Sequence, residues 1–222
     1  MATILHIDTA SANASVSLAT DGKVMDVIEN HLMNEHAAFL QPAVKKILQN
    51  TGVTLQQVDA IAVVNGPGSY TGLRVGLASA KGLSYAGGKP LITIGTLPVM
   101  ARAAFNAVQD NGILYAPMID ARRMEVFTAV YDCEGNEKLP AVAKVLSDDS
   151  FVELLLQNKI LFFGNGAAKW KNICNHPNAL FSTDYSTVQS FAQLAFRAFQ
   201  LEDFAILAYC EPLYLKEFYT GN

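Results

Sequence analysis

Residues 58–88 read VDAIAVVNGPGSYTGLRVGLASAKGLSYAGG and join a strand, a tight turn and a helix. The apolar, β-branched run at residues 60–64 predicts a buried strand. The turn follows at Asn65-Gly66-Pro67-Gly68, where glycine and proline break the strand. A helix is expected from Ser69 or Tyr70 to residue 86, with Ser69 or Thr71 as its N-cap.

The helix predicted at residues 70–86 is apolar around most of its circumference and is interrupted by glycine. Only Arg74 and Lys81 are charged, while Gly72, Gly76 and Gly82 lie within the helix. Because each glycine costs about 1 kcal/mol relative to alanine, we expect the missing side chains to let another backbone approach closely. The element that covers this helix is either a neighbour in the same chain or a second protein, and the sequence leaves both open.

The glycine loop fits neither of the common phosphate-binding patterns. Neither Gly66 nor Gly68 begins the G-x-x-x-x-G-K-[ST] pattern of a P-loop. The pair also lacks the third glycine of a dinucleotide fingerprint, and Pro67 removes an N–H that would bind phosphate. On these grounds alone, the loop is a strand-to-helix turn.

Composition limits the class of protein. The length of 222 residues suits one or two domains, and 51% hydrophobic against 16% charged residues favours an obligate partner or a homodimer. A net charge of −4 without a dense Lys/Arg cluster argues against nucleic-acid binding by this chain alone. No stretch predicts a secretion signal or a membrane span, and three separated cysteines fit a reducing compartment, so we expect a cytoplasmic protein.

Hydrophobic periodicity predicts an α/β chain in which the order strand-strand-strand-helix-strand-helix occurs twice. The predicted strands are residues 3–8, 15–20, 23–29, 60–64, 90–94, 114–119, 125–131, 142–145 and 160–163. The predicted helices are residues 35–49 (with Asn34 as N-cap), 70–86, 96–108, 148–157 and 187–201. We divide the chain into an N-terminal lobe, residues 1–103, and a C-terminal lobe, residues 104–222, with the last helix and tail able to pack back on the first lobe.

The segment GPGSYTGLRVG, from Gly66 to Gly76, resembles the signature of the bacterial TsaB (YeaZ) family. The residues of this signature loop that we single out are Gly66, Pro67, Gly68, Ser69, Thr71, Gly72 and Arg74. His36 and three further segments agree with the family: Ile7-Asp8-Thr9, Ile119-Asp120-Ala121-Arg122-Arg123-x-Glu125-Val126 and Pro212-Leu213-Tyr214-Leu215. The resemblance spans the chain, is weak over residues 138–204, and implies the two-lobed actin, sugar-kinase and Hsp70-like ATPase fold.

The resemblance implies a non-catalytic scaffold, a pseudo-enzyme subunit required for threonylcarbamoyl transfer to the adenosine next to the anticodon of tRNA. It further implies that the chain binds and activates the catalytic paralogue TsaD, and that the ATPase TsaE joins the larger complex. Transfer RNA would then be bound mainly by these partners. Alone, such a chain is expected to form a two-fold homodimer.

The resemblance places the partner interface on the helices predicted at residues 35–49 and 70–86, which would present a half-bundle. The expected interface residues are His36, Leu40, Ala43, Val44, Ile47, Leu73, Gly76, Leu77 and Ala80. Replacing Gly76 by Leu or Leu40 by Glu is then expected to abolish the partner complex and to leave the fold intact.

The implied ATPase fold holds a nucleotide in a cleft, but this chain lacks glycines that such a site needs. The two phosphate-binding hairpins of this fold require glycine after an acidic residue. Here Asp8 is followed by Thr9-Ala10-Ser11-Ala12 and Asp120 by Ala121-Arg122-Arg123, so neither hairpin has the glycine. Gly164-x-Gly166 alone keeps the pattern of a nucleoside-contacting turn. We therefore expect a degenerate nucleotide cleft, marked by Asp8, Asp120, Gly164 and Gly166, and no cofactor.

We expect no metal site and no catalytic residue. The catalytic paralogue of the family binds metal through two histidines four residues apart, whereas His31 and His36 are five apart. Ser69 does not lie in the G-x-S-x-G elbow of a serine hydrolase. An ATP-dependent small-molecule kinase of the same fold and a metallopeptidase-like hydrolase are the alternative functions.

Asp120, Arg122, Arg123 and Glu125 form the densest charged group in the sequence. We favour a solvated hairpin or an ion-pair cluster as the interpretation of this group, and a ligand site is the alternative.

Overall fold

The computed structural model describes residues 1–31 and 35–216, and the chain divides into two compact units. The first unit contains Met1–Val99 and Thr187–Leu213, and the second contains Met100–Ser186 and residues 214–216. The change of unit after Val99 comes earlier than the predicted lobe boundary at residue 103. The last long helix belongs to the first unit because its apolar face packs on the first sheet.

Ten strands and six helices are numbered here in chain order among the described residues. The strands are β1 (Thr3–Asp8), β2 (Ala14–Thr20), β3 (Lys23–Asn30), β4 (Ala60–Gly66), β5 (Leu91–Gly95), β6 (Ile113–Asp120), β7 (Glu125–Tyr131), β8 (Glu137–Val145), β9 (Lys159–Phe163) and β10 (Ala179–Phe181). The helices are α1 (His36–Thr51), α2 (Tyr70–Gly87), α3 (Thr96–Val108), α4 (Val152–Leu155), α5 (Ala167–Lys171) and α6 (Val188–Gln200).

Each unit contains one five-stranded mixed sheet, and the two sheets share one strand order. The first sheet has the order β3-β2-β1-β4-β5, with β1 antiparallel to β2 and parallel to β4. The second has the order β8-β7-β6-β9-β10, with β6 antiparallel to β7 and parallel to β9. The predicted duplication is confirmed, and this is the topology of the actin, sugar-kinase and Hsp70-like ATPase fold.

The observed elements differ from the predicted ones mainly in the second unit. The helix predicted at residues 148–157 is reduced to α4, because hydrogen bonds between Ser147 and Ser150 close a turn and Phe151 adopts a left-handed φ of 61°. Strand β10 and helix α5 were not predicted, since three and five residues are too short to show a hydrophobic period. The predicted cap at Asn34 lies outside the described residues.

Helices cover both faces of the first sheet. Helices α1 and α2 pack on one face through a buried cluster that includes Leu40, Ile47 and Leu77. On the other face, α6 and the start of α3 pack through a cluster that includes Val99 and Phe191. The side of α1 and α2 that faces away from the sheet is therefore the side left for other contacts.

The glycines of the signature loop and of α2 bring two backbones together. A Cβ at Gly68 would lie 2.2 Å from the carbonyl oxygen of Ala10, and one at Gly72 would lie 2.0 Å from the carbonyl oxygen of Thr9. A Cβ at Gly76 would lie 2.2 Å from Thr9 Oγ1. Because a carbon and an oxygen atom repel strongly at such distances, only glycine lets α2 pack this closely against the turn between β1 and β2.

Two hydrogen bonds join the same segments. The Ser69 N–H donates to the Ala10 carbonyl oxygen at 2.7 Å, and the Thr9 hydroxyl donates to the Gly72 carbonyl oxygen at 2.7 Å. Thr9 is fully buried, so its hydroxyl has no access to bulk water. The missing side chains at Gly72 and Gly76 thus serve a contact within the chain.

Replacing Gly72 by Ala is expected to lower the free energy of unfolding by about 1–3 kcal/mol, because the added methyl overlaps the Thr9 carbonyl. Gly82→Ala in the same helix is the matched control. Nothing lies within 4 Å of a Cβ at Gly82, so alanine is expected to raise the free energy of unfolding by about 0.5–1 kcal/mol. Urea unfolding of both variants measures the difference, and a similar effect at the two positions would contradict the packing role.

Candidate partner-binding surface

The nine residues predicted to contact a partner are instead buried in the first unit. They are His36, Leu40, Ala43, Val44, Ile47, Leu73, Gly76, Leu77 and Ala80. The strongest apolar stripe of each helix covers the chain's own sheet and turn, so the partner contact expected of these side chains stays a prediction. Gly76→Leu and Leu40→Glu would accordingly disrupt this core rather than a partner contact.

The side of α1 and α2 that faces away from the sheet is exposed and rich in small residues. We call it the α1/α2 outer face. It consists of Ala37, Ala38, Gln41, Pro42 and Lys45 of α1 and Thr71, Arg74, Ala78, Gly82, Tyr85 and Ala86 of α2. The aromatic side chain of Tyr85 is 80% exposed, which is uncommon for so large an apolar ring.

The chain's own C-terminal segment covers a further part of α2. The Ala205 N–H donates to the Leu91 carbonyl oxygen at 2.8 Å, and Lys81 Nζ donates to the Cys210 carbonyl oxygen at 3.2 Å. The partly buried side chains of Leu207 and Cys210 pack against the cluster beneath α1 and α2. The tail therefore covers one side of this helix, and the α1/α2 outer face remains uncovered among the described residues.

The end of that segment explains the first glycine of the signature loop. The Leu213 N–H donates to the Asn65 carbonyl oxygen at 2.7 Å. Gly66 has a φ of 122°, and a Cβ there would lie 2.6 Å from the Leu213 carbonyl oxygen. The Pro212-Leu213 segment and the signature loop, which are far apart in sequence, are thus neighbours in the first unit.

The other residues of the signature loop shape the start of α2. Ser69 is the N-cap, and its Oγ accepts a hydrogen bond from the Gly72 N–H at 3.3 Å. Pro67 is buried behind it, and Thr71 is exposed. The Arg74 guanidinium carbon lies 4.1 Å from the centre of the Tyr70 ring, a cation–π contact. These contacts are structural, and they use Ser69 as a cap rather than as a nucleophile.

The turn between β1 and β2 uses its own polar groups internally. The Ala10 N–H donates to Asp8 Oδ1 at 3.0 Å, and the Asn13 N–H donates to Ser11 Oγ at 3.2 Å. His36 Nε2 lies 3.0 Å from the Ser11 carbonyl oxygen. Several backbone and side-chain groups that a phosphate would need are therefore already engaged.

Burial raises the pKa of Asp8 to about 6, although the Ala10 N–H and the nearby His36 act in the opposite direction. The carboxyl therefore binds its proton more tightly in the folded chain than in the unfolded chain, whose pKa is 3.8. Folding stability linked to Asp8 is complete below pH 3.8 and is lost as the pH rises through 6.

The turn between β6 and β7 is an ion-paired hairpin. Asp120 Oδ1 accepts hydrogen bonds from Lys169 Nζ and from the Arg122 N–H, each at 2.6 Å. Lys216 Nζ pairs with the Glu125 carboxylate. Burial works to raise the pKa of Asp120, but the Lys169 and Arg122 hydrogen bonds outweigh it, so the pKa lies below its usual range.

The Gly164-Asn165-Gly166 turn packs on this hairpin. A Cβ at Gly164 would lie 2.3 Å from the Met118 carbonyl oxygen, and one at Gly166 would lie 3.0 Å from the Ile119 carbonyl carbon. Asn165 Oδ1 accepts a hydrogen bond from the Asp120 N–H at 2.8 Å. Close packing accounts for both glycines, so neither requires a nucleoside to explain it.

Metal-binding groups of side chains and membrane-spanning helices are both absent from the described residues. Within residues 1–31 and 35–216, no group of three or more His, Cys, Asp and Glu side chains is placed to hold a metal ion. Over the same residues, no helix combines the length and hydropathy needed to cross a bilayer.

Known proteins share this architecture. The TsaD family model, described as tRNA N6-adenosine threonylcarbamoyltransferase, matches residues 27–215. The tRNA threonylcarbamoyladenosine biosynthesis protein TsaB of Haemophilus influenzae is 30% identical over 96% of this chain and 93% of its own length. A Pseudomonas aeruginosa crystal structure, of an uncharacterized protein with similarity to peptidase YEAZ, has a TM-score of 0.83 and 27% identity over 97% of this chain and 100% of that chain.

A more distant structure shares the fold alone. The activator of 2-hydroxyisocaproyl-CoA dehydratase from Clostridium difficile, solved with bound ADPNP, has a TM-score of 0.50 and 8% identity over 91% of this chain and 95% of that chain. Together with the duplicated sheets, this defines a protein of the actin-like ATPase fold. Within that class, the chain belongs to the TsaB (YeaZ) family, as its signature loop predicted.

Replacing Asp8 by Asn is expected to raise the free energy of unfolding at pH 8 by at most about 3 kcal/mol, because the penalty for ionising a buried carboxyl disappears. The amide oxygen of Asn can still accept the Ala10 N–H. Below about pH 4 the gain is expected to vanish, since Asp8 is then protonated in the wild-type chain. Urea unfolding at both pH values measures this, and an equal gain at pH 4 and pH 8 would exclude ionisation as its cause.

Proposed function

We propose that this chain is a non-catalytic scaffold subunit in the synthesis of threonylcarbamoyladenosine in tRNA. Its family membership supports a role in this synthesis, because the Haemophilus influenzae and Escherichia coli relatives are tRNA threonylcarbamoyladenosine biosynthesis proteins by name. In this proposal the chain binds and activates a TsaD-family transferase, which modifies the adenosine next to the anticodon, and the ATPase TsaE joins the complex. The binding surface is the α1/α2 outer face.

The observation that carries this proposal is the row of small residues along exposed α2. Ala78, Gly82 and Ala86 follow each other at intervals of four, so they lie on one side of the helix, and all three are exposed. With at most a methyl group at these positions, a partner helix can pack at short interaxial distance. Tyr85 lies beside this row and offers a large apolar contact, a residue type enriched at protein interfaces.

The glycine at position 82 supports a role outside the chain. Gly72 and Gly76 each face an atom of Thr9, whereas a Cβ at Gly82 would meet nothing within 4 Å. A helix-interior glycine costs about 1 kcal/mol relative to alanine, and no contact among the described residues offsets this cost. A partner backbone that approaches Gly82 closely would offset it.

The same surface explains the homodimer expected of the isolated chain. An exposed row of small residues on a helix is self-complementary around a two-fold axis, as an isologous interface requires. Two copies can cover each other's Ala78, Gly82 and Tyr85 when the transferase is absent. The heterodimer and the homodimer would then compete for one face.

The non-catalytic part of the proposal rests on the two hairpin turns. The N–H groups of Ala10 and Arg122 already donate to the carboxyl groups of Asp8 and Asp120, so neither N–H is free to hold the phosphate of a nucleotide. His36 is buried against Ser11, and Ser69 caps α2. These engaged groups support a scaffold over a kinase or a hydrolase.

Replacing Gly82 by Arg is expected to weaken binding to the TsaD-family transferase at least about tenfold, because a long charged side chain separates the two helices. The fold should survive, since the position is open. Co-purification from the native cell and isothermal titration with the purified transferase both measure the change.

Gln200→Arg is the matched control for this test. Gln200 is an exposed helical residue of α6, which packs on the opposite face of the same sheet. The Gln200→Arg variant adds the same charge to the same unit as Gly82→Arg and is expected to leave binding to the transferase unchanged. Wild-type affinity of Gly82→Arg for the transferase would overturn the assignment of this face.

A further inference from the structure

The turn between β6 and β7 carries two arginines that the scaffold role does not use. Arg122 and Arg123 are both exposed. Within the described part of the chain, neither guanidinium takes part in an ion pair. They are therefore two cations presented to solvent from one turn.

The acidic residues of the same turn are already neutralised. Asp120 pairs with Lys169 at 2.6 Å, and Glu125 pairs with Lys216. The turn thus assembles four cationic side chains around two carboxylates, in a chain whose net charge is −4. Its local excess of positive charge is opposite in sign to the chain as a whole, which marks it as a place for an anion.

The backbone presents the two arginines in a fixed conformation. Arg122 and Arg123 have left-handed φ values of 70° and 48°, which residues other than glycine rarely adopt. Hydrogen bonds from the Arg122 N–H to Asp120 and from the Glu125 N–H to the Arg122 carbonyl oxygen hold the turn closed. A ligand that binds here has little backbone left to order.

We propose that Arg122 and Arg123 bind phosphodiester groups of tRNA while this chain is part of the modifying complex. The planar guanidinium matches a phosphate with two parallel hydrogen bonds. The choice of RNA as the polyanion rests on the proposed function. A protein partner would be expected to cover an apolar centre. This turn exposes one large apolar side chain, Met124, beside four cationic side chains, and phosphate contacts need no apolar centre.

This site adds a direct RNA contact to a chain that cannot bind RNA well alone. Two phosphate contacts are too few to overcome the net negative charge of the chain, so binding tight enough for an equilibrium titration requires the further contacts that the transferase supplies, while the chain alone forms a weak contact that cross-linking at low salt can trap. The arginine turn then acts as an auxiliary contact for RNA that is already held by the partner.

The test is a fluorescence-anisotropy titration of an unmodified tRNA transcript with the assembled complex of this chain and the transferase, repeated over a series of salt concentrations. In the double variant Arg122→Gln/Arg123→Gln, the dissociation constant is expected to rise about tenfold at low salt. The slope of log affinity against log salt concentration is expected to decrease by about two, or about one for each lost phosphate contact. Arg122→Lys/Arg123→Lys should keep the slope.

Lys138→Gln/Lys159→Gln is the charge-matched control. Both lysines are exposed and lie in the second unit at the opposite end of the sheet from the turn, because Lys138 is the second residue of β8 and Lys159 begins β9. Lys138 pairs with Asp132 there, as Lys169 pairs with Asp120 at the turn. This variant loses the same net charge and is expected to change neither the affinity nor the slope by a comparable amount. An equal effect of the two double variants would reduce the result to net charge and overturn the site.

The remaining outcomes separate this inference from the proposed function. If the arginine variant assembles with the transferase and binds tRNA with the wild-type slope, the RNA site is wrong and the scaffold role stands. If the arginine variant loses the transferase or the ATPase instead, the turn contacts protein and the RNA site is again wrong. If the wild-type chain recruits no transferase, but ultraviolet cross-linking of the chain alone to tRNA at low salt still depends on the two arginines, the scaffold role is wrong and the RNA site stands; loss of this dependence overturns both.

Discussion

The contact between the signature loop and the turn after β1 determines how α2 packs on the sheet of the first unit. Gly68 and Gly72 place the start of α2 directly against the carbonyl groups of Ala10 and Thr9, and two hydrogen bonds of 2.7 Å join the segments. This contact sets how α2 lies on the sheet, and therefore which of its sides is buried. The family signature is, in this light, largely a packing motif, and the outer face of α2 is a consequence of it.

The second unit repeats the arrangement with a different result. The turn after its fourth strand, at Gly164-Asn165-Gly166, packs on the hairpin after its first strand, as the signature loop does in the first unit. A five-residue α5 follows that turn, where the first unit has the long α2. Its hairpin presents arginines, whereas the corresponding turn of the first unit is held closed by α2. The same sheet topology therefore carries an exposed helical surface in the first unit and a cationic turn in the second.

Much of the fold could be predicted from the sequence, because the deciding signals are local. Strand β1 and strand β7 were predicted to the residue, since short apolar runs end at clear turn residues. The side of α1 and α2 that the chain itself covers could not be predicted in the same way. Helical periodicity shows that Leu40 and Leu77 share a buried stripe, but it does not show whether the cover belongs to the same chain. Gly82 differs from this stripe, because it is an exposed helix-interior glycine without an internal contact, and the proposed surface is built on that difference.

The roles of Thr9 and Ala10 also escaped sequence analysis. Their partner in the structure, the segment from Gly68 to Gly76, lies far along the chain, and no periodic pattern links the two. The ion pairs of Lys169 and Lys216 with the β6–β7 hairpin are long-range in the same way. Without them, the charged group at residues 120–125 could not be resolved into paired acids and unpaired arginines.

The most direct test of this account is the free energy of unfolding of Thr9→Val, measured by urea denaturation. Valine keeps the shape of the side chain and removes the hydroxyl that donates to the Gly72 carbonyl oxygen inside the core. The account predicts a loss of about 1 kcal/mol, the worth of a buried hydrogen bond. A free energy of unfolding equal to or above that of the wild-type chain would contradict the claim that this contact holds the first unit together.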